Sequence, residues 1–208
     1  MPANSTVANS YHHGNLREAL LDSAEHAIVE QTAEALSLRA LARTAGVSQT
    51  APYRHFNDRN TLLAAVSERG YQRLIKALHG AIDSIEDDAE RQVREAASCY
   101  VQFAIDNPQL FKLMFGPLLQ PTLSHPELHA SIRECNHLVQ SMLANGIRSG
   151  SFREEDIRYL TNTAWAGIHG LATLVIDMPD LFEQHIELER QMDISVRSLL
   201  NCIQGPKT

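Results

Sequence analysis

From about Asn15 to the end of the chain, apolar residues return every three or four positions, and no stretch alternates convincingly at period two. This regularity constrains the fold more than any other feature. It predicts an all-α protein of about nine helices, with an N-terminal three-helix unit followed by a C-terminal helical bundle. The first helix begins near Asn15 with Leu16, Leu20, Ala24, Ala27 and Ile28 on one face, and stops near "EQTAEA". Ser37 is an N-cap for a short second helix carrying Leu38, Leu41 and Ala42. Gly46 suits the left-handed position that ends it, and Val47 follows as an apolar anchor. Ser48 caps a short third helix with Pro52 in or just past its first turn. Asn57 or Asp58 then caps a long fourth helix with the stripe Leu63, Val66, Leu74, Ala77, Leu78 and Ile82.

The remaining helices follow the same logic. One runs from about Asp87 to Asp106, and "DNP" ends it so that Pro108 restarts a short helix. "GPLLQPTLSHP" reads as a loop, and a helix from about Pro126 to Arg148 stops at "RSGSF". Another starts at the acidic "REED" with Ile157, Leu160, Ala164, Ile168, Leu171 and Val175 inward. "MPD" breaks it, and a last helix carries Leu181, Leu188, Met192, Leu199 and Ile203.

Helix, tight glycine turn, helix is the helix-turn-helix pattern. The stretch "TAGVSQTAPYRHF" (44–56) adds three rings to it, Tyr53, His55 and Phe56. Short polar groups at Ser48, Gln49 and Thr50 would let a helix sit deep in a major groove, where Gln bonds adenine bidentately. The Tyr53 phenol, the Arg54 guanidinium and His55 suit flanking phosphates, and Arg59, in the first turn of the next helix, adds a charged contact. Phe56 should point inward and clamp this element to the first helix. As an alternative, the rings are only an aromatic staple in a helical core.

Charge bears on this. The chain carries a net −7, so any nucleic-acid contact has to be local. Residues 1–60 hold five Arg against six acids, a net −1, while the rest carries −6. Hydrophobic residues make up 44%, enough for a sizeable core, and the length fits one large domain or one small domain fused to a larger one. Cys99, Cys135 and Cys202 are odd in number and widely spaced, which fits reduced core or interface thiols. The opening "MPANSTVANS" lacks an apolar signal region, and no apolar run approaches a membrane span, so a cytoplasmic protein with no membrane partner is expected.

The segment "SLRALARTAGVSQTAPYRHFNDRNTLL" (37–63) resembles the DNA-binding domain of the TetR family of bacterial transcriptional regulators. Ala45-Gly46-Val47-Ser48, Tyr53, His55-Phe56, Arg59 and Leu62 fall in its register, with Pro52 where Leu is usual and Arg59 where Lys is commoner. The resemblance implies that Gln49, Thr50, Tyr53 and His55 touch an operator and that Ser37 and Arg59 hold phosphates. Arg39, Ser48 and Arg54 complete the candidate DNA-binding set. "YHHGNLREALL" (11–21) resembles the start of the first helix in one subgroup, where His12 and His13 reach phosphate or the minor groove, or merely cap.

The resemblance also implies three parts: a flexible arm over 1–14, a helix-turn-helix domain over 15–60, and a ligand-binding and dimerisation domain over 61–208. "NPQLFKLMF" (107–115) and "WAGIHG" (165–170) resemble the C-terminal domain of a subgroup named for its Trp-His-Gly signature. Trp165 and His169 share a helix face and could line a pocket with Phe111, Met114, Phe115 and Met142, suited to a small apolar or aromatic effector. As an alternative, these residues are ordinary core, with His169 bonded to a backbone carbonyl. Gly167 and Gly170 in mid-helix suggest a close helix–helix approach, as at a dimer interface. A homodimer implies a roughly palindromic double-stranded operator.

The function expected is a sequence-specific DNA-binding regulator, a repressor released by a small molecule, with an activator or a helical interaction protein as alternatives. No phosphate loop, nucleophile elbow or H-E-x-x-H occurs, so no catalytic residue, no cofactor and no enzyme activity is expected. His125 and His129 of "HPELH" have metal-compatible spacing, but Pro126 puts His125 at or outside a helix start and no third ligand is evident, so no metal is expected.

Overall fold

A computed structural model describes residues 16–30 and 32–204. The arm expected over 1–14, with His12 and His13, lies outside the described residues. Among those described there are nine α-helices and four short 3-10 helices and no strand, so the all-α expectation holds. Two compact units divide at Val66 and Ser67.

The N-terminal unit holds α1 (Leu16–Glu30), α2 (Leu38–Thr44), a 3-10 helix (Ala51–Arg54) and the first turns of α3 (Arg59–Ile82). Its core takes Leu20, Leu21, Ala24 and Ile28 from α1, and Leu38, Leu41 and Ala42 from α2. Leu62, Leu63 and Val66 of α3 complete it. Fully burying each Leu or Ile is worth about 1.5–3 kcal/mol, which holds a small unit with short helices together. The expected turn is present in detail. Gly46 has φ +67°, a left-handed conformation that side chains resist. The Val47 N–H donates to Ala42 O (3.0 Å) and the Gly46 N–H to Arg43 O (3.1 Å), so the last carbonyls of α2 are satisfied as the chain reverses.

Three local expectations need correcting. The element after the turn is a 3-10 helix over Ala51–Arg54, not an α-helix from Ser48. Pro52 at its second position has no N–H to give and crowds the carbonyl four residues back, so the chain closes three-residue bonds such as Tyr53 N–H to Thr50 O (3.3 Å). Ser48 is therefore no helix cap; its hydroxyl meets that of Thr50 at 3.2 Å. Ser37 does occupy the cap position of α2, but its side chain accepts no backbone N–H there. Asp58, of the two candidates, caps α3: its Oδ1 accepts from the Thr61 N–H (2.7 Å) and hydroxyl (2.9 Å).

The C-terminal unit contains the rest of α3 and six further helices. These are α4 (Ala89–Asp106), α5 (Pro108–Phe115), α6 (Pro126–Arg148), α7 (Ile157–Asp177), α8 (Pro179–Gln184) and α9 (Leu188–Ile203). Helices α4, α6, α7 and α9 pack against one another as the bundle. Asp88 caps α4 by accepting from the Arg91 N–H (2.9 Å). Pro108 starts α5, where its missing N–H costs nothing. The expected loop after α5 contains 3-10 turns at Pro117–Leu119 and Thr122–Ser124. Helix α7 begins only after the acidic run, with Asp156 as its cap.

The expected last helix is in fact two. Leu181 sits on α8, while Leu188, Met192, Leu199 and Ile203 sit on α9. The N–H groups of His185 and Ile186 both fold back onto Leu181 O, which closes α8 without a Gly or Pro to mark the break.

Candidate DNA-reading turn and candidate ligand cavity

In the N-terminal unit the turn sorts its side chains sharply. Pro52 is fully buried and Phe56 is 2% exposed, whereas Ser48, Gln49, Thr50, Tyr53, Arg54 and His55 are all exposed. The Arg17 guanidinium carbon lies over the Phe56 ring, 5.7 Å from its centroid, in a cation–π contact. Of the three rings, Phe56 is therefore the anchor, and Tyr53, at 46% exposure, presents its phenol to solvent. Ser37 and Arg39 are exposed at the start of α2, and Arg59 is half-buried at the start of α3. Between Ser37 and Arg59 the chain has four arginines and one acid, Asp58. A cationic segment on an anionic molecule is the footprint a polyanion needs. Arg43, exposed in the last turn of α2, is the cation missing from the sequence-based set; its position on α2 could have marked it.

The C-terminal unit holds a partly open cavity of about 670 Å³. Its lining comes from α3 (Tyr71, Leu78), α4 (Val93, Ala96, Ala97, Tyr100) and the end of α5 (Met114, Phe115). Gln120 and Thr122 of the loop, residues of α6 from Ile132 to Leu143, residues of α7 from Arg158 to Ile168, and Leu199 of α9 close it. Such a volume suits a drug-sized molecule.

Four of the six residues expected at a pocket line this cavity: Met114, Phe115, Met142 and Trp165. Phe111 and His169 do not line it. Phe111 is 1% exposed and its ring stacks on His169 at 5.4 Å, behind the aromatic wall. His169 is not bonded to a backbone carbonyl. The Trp165 Nε1–H donates to the Tyr100 oxygen (3.3 Å), and with the ring as its Nε2–H tautomer the Tyr100 hydroxyl donates in turn to His169 Nδ1 (2.9 Å). Burial lowers the His169 imidazole below its ordinary value, which favours the neutral ring that can accept this proton. Burial likewise raises the phenols of Tyr71 and Tyr100, and pushes the Cys135 thiol up to about 11. The Tyr71 hydroxyl donates to Met114 O at 3.2 Å, fixing α3 to the end of α5.

Sequence reasoning did not find Tyr71, Tyr100, Gln140, Thr161 or Arg158 at this site. None carries a motif, and they converge only through the packing of four helices.

Other expectations resolve as follows. Gly167 and Gly170 have nothing within 4 Å of where a Cβ would stand, so among the described residues no other helix approaches them closely. His125 occupies the cap position of α6, and His129 Nδ1 lies 3.3 Å from the Thr122 hydroxyl. Among the described residues no three His, Cys, Asp or Glu side chains gather as metal ligands, and no helix is long and apolar enough to cross a membrane.

Comparison with known proteins agrees with this geometry. Residues 20–66 match the model of bacterial regulatory proteins of the tetR family, and residues 93–199 match that of the tetracyclin repressor-like C-terminal domain. The HTH-type transcriptional regulator YobS of Bacillus subtilis (strain 168) is 23% identical over 188 residues, 90% of this chain and 92% of YobS. A solved structure of a Rhodococcus sp. RHA1 protein of unknown function is 31% identical and superposes with a TM-score of 0.83, covering 95% of this chain and all of that one. The fatty acid degradation regulator FadR of Bacillus halodurans has the same fold, with a TM-score of 0.73 at 17% identity, covering 91% of this chain and 97% of FadR.

Proposed function

The chain belongs to the tetR family of bacterial regulatory proteins and is a transcriptional regulator with a DNA-binding N-terminal domain; from that premise we propose that it is a cytoplasmic repressor, released from a palindromic operator when a small apolar or aromatic molecule enters its C-terminal cavity. The observation that carries the reading is the pairing, in one chain, of an exposed polar turn anchored by Phe56 with a cavity of about 670 Å³ in the other unit.

In this reading residues 15–60 bind DNA, and residues 61–208 bind the effector and a second copy of the chain. Gln49 and Thr50 read base edges, Ser48 allows close approach, and Tyr53, Arg54, His55, Arg39, Ser37 and Arg59 hold phosphates. Met114, Phe115, Met142 and Trp165 contact the effector, with Phe111 and His169 supporting the wall behind them. The second copy packs on α7. There Tyr159, Thr163, Ala166, Gly167, Gly170 and Leu174 recur at three- and four-residue spacing and are all exposed. Small residues on such a stripe let two helices approach closely, and the Gly167 and Gly170 positions are open to a partner. Ile194, 40% exposed on α9, extends the apolar surface.

Helix α3 supplies the link between ligand and DNA. It begins beside the reading turn at Arg59 and contributes Tyr71 and Leu78 to the cavity. A ligand that favours one position of Tyr71 over another shifts the population of DNA-competent dimers by its difference in affinity for the two states.

The test is fluorescence anisotropy with duplex DNA from the gene's own upstream region and a scrambled duplex, at fixed salt, for wild type and Tyr53→Ala. Tight binding to the upstream duplex alone, lost in the variant, supports a sequence-specific reader. Equal weak binding to both duplexes counts against it. Screening small molecules for release of the bound duplex then tests the repressor mechanism.

A further inference from the structure

The cavity combines a large apolar space with almost no unspent charge, and this limits what can occupy it. Arg158 is the sole charged residue in its lining, and that charge is already matched. Its Nε lies 3.0 Å from Asp156 Oδ1, and its terminal nitrogen lies 2.5 Å from Oδ2. The same Asp156 carboxylate accepts the Arg158 backbone N–H at 2.9 Å. One carboxylate therefore neutralises both groups that could have drawn an anion to this end of the cavity, the guanidinium and the amide end of α7. The titratable groups in the wall, Tyr71, Tyr100 and Cys135, are held uncharged by burial, so they offer no charge to a cation.

What the cavity does offer is neutral hydrogen bonding. Thr161 lines it, is 7% exposed, and its hydroxyl has no protein partner. A helical threonine commonly bonds back to the carbonyl one turn earlier, and this one does not. A buried polar group without a partner costs stability and needs an explanation. The oxygen itself is buried, and a turn of the side chain about Cα–Cβ that presents it to a ligand atom in the cavity supplies one. Asn136, Gln140 and Asn162 add amides to the same lining, each able both to donate and to accept.

We infer that the effector is an uncharged, mainly apolar molecule carrying at least one hydroxyl or carbonyl oxygen, bonded by the Thr161 hydroxyl. This rests on the reading of the cavity as the effector site, and the experiment separates failure of that reading from failure of the inference. The probe is N-phenyl-1-naphthylamine, a neutral aromatic dye that brightens in apolar surroundings. It is bound to the full-length wild-type protein and displaced by decan-1-ol, decanoate or decylammonium, which share one tail and differ in head charge.

The expected result is displacement by the alcohol at concentrations roughly ten-fold or more below those needed for either ion, because burying an unpaired charge is costly. In Thr161→Val the dye should bind unchanged and the melting temperature should hold or rise, while the alcohol weakens by roughly ten-fold, the loss of one hydrogen bond. Displacement by decanoate or decylammonium as effective as by decanol overturns the inference and leaves the effector site standing. So does a Thr161→Val protein that binds decanol as tightly as wild type. A wild-type protein that fails to brighten the dye, or an Ala164→Phe variant that still folds and brightens it equally, removes the effector site and the inference together.

Discussion

The reading turn and the cavity wall put polar and apolar residues to opposite uses. At the turn, two buried anchors, Pro52 and Phe56, hold six exposed polar side chains in place. In the cavity, much of the wall that would touch a ligand is itself core: Met114, Met142 and Leu143 are each at most 7% exposed, and Trp165 is the exception at 47%. In the proposed reading the turn therefore separates stability from recognition residue by residue, and the wall merges them. There, substitutions at Gln49 or Tyr53 are expected to report on DNA binding alone. Substitutions at Met142 alter packing and pocket together, so their effect on ligand cannot be read without a stability control.

The strongest attack on this contrast is Phe56→Ala. Removing a fully buried ring should destabilise the N-terminal unit by about 3–5 kcal/mol. Hydrogen exchange should show protection lost in α1 and α2 and retained in α4 and α7; a uniform loss would mean the units do not unfold separately.

Next comes Gln49→Ala. It should reduce discrimination between cognate and altered duplexes by about 1–3 kcal/mol, if Gln49 reads a base. Its denaturation midpoint should stay that of wild type, and a shifted midpoint would blur the separation claimed for the turn.

Gly46→Ala tests the geometry beneath both. The space is open, so the penalty is conformational, about 1–2 kcal/mol for a side chain at φ +67°. Gly46→Asn should lose less in the same denaturation series.

The smallest effect is expected at His169, and it runs with pH. Its folded-state value is lowered by burial, so the unfolded chain binds this proton more readily. The contribution of the neutral ring is fully present above the ordinary value of 6.5 and is lost as pH falls below it. His169→Gln keeps an acceptor for Tyr100 and cannot be protonated. The melting-temperature advantage of wild type over this variant should therefore narrow below pH 6.5. A constant difference would mean that the imidazole remains hydrated.

The sequence announced the turn because its causes are local. Gly46 and Asp58 act on partners within about five residues, and capping and left-handed turns have short signatures. Even there, Pro52 could be read as the start of an α-helix or as a bar to one, and its ring decided for the tighter coil. The cavity was only half legible. Trp165 and Met142 stood out as unusual residues at helical spacing, but Tyr71, Tyr100 and Thr161 meet across 90 positions of chain and look ordinary in each segment. Period alone also placed Phe111 and His169 at the pocket, since it gives the face of a helix and not the depth of a side chain. The break between α8 and α9 has no Gly or Pro and left no trace in the pattern.

One wall residue gives the molecule an optical handle of its own. Trp165 is the sole tryptophan in the chain, it borders the cavity, and it remains 47% exposed. Excitation at the red edge of protein absorption thus selects a single indole, and its emission band reports the polarity at one known place. Filling the space beside it with hydrocarbon should move that band to shorter wavelength and shield it from a water-borne quencher such as acrylamide. Breaking its N–H contact with Tyr100 should alter its lifetime. Occupancy of the proposed effector site can be followed this way in the unlabelled, unmodified chain.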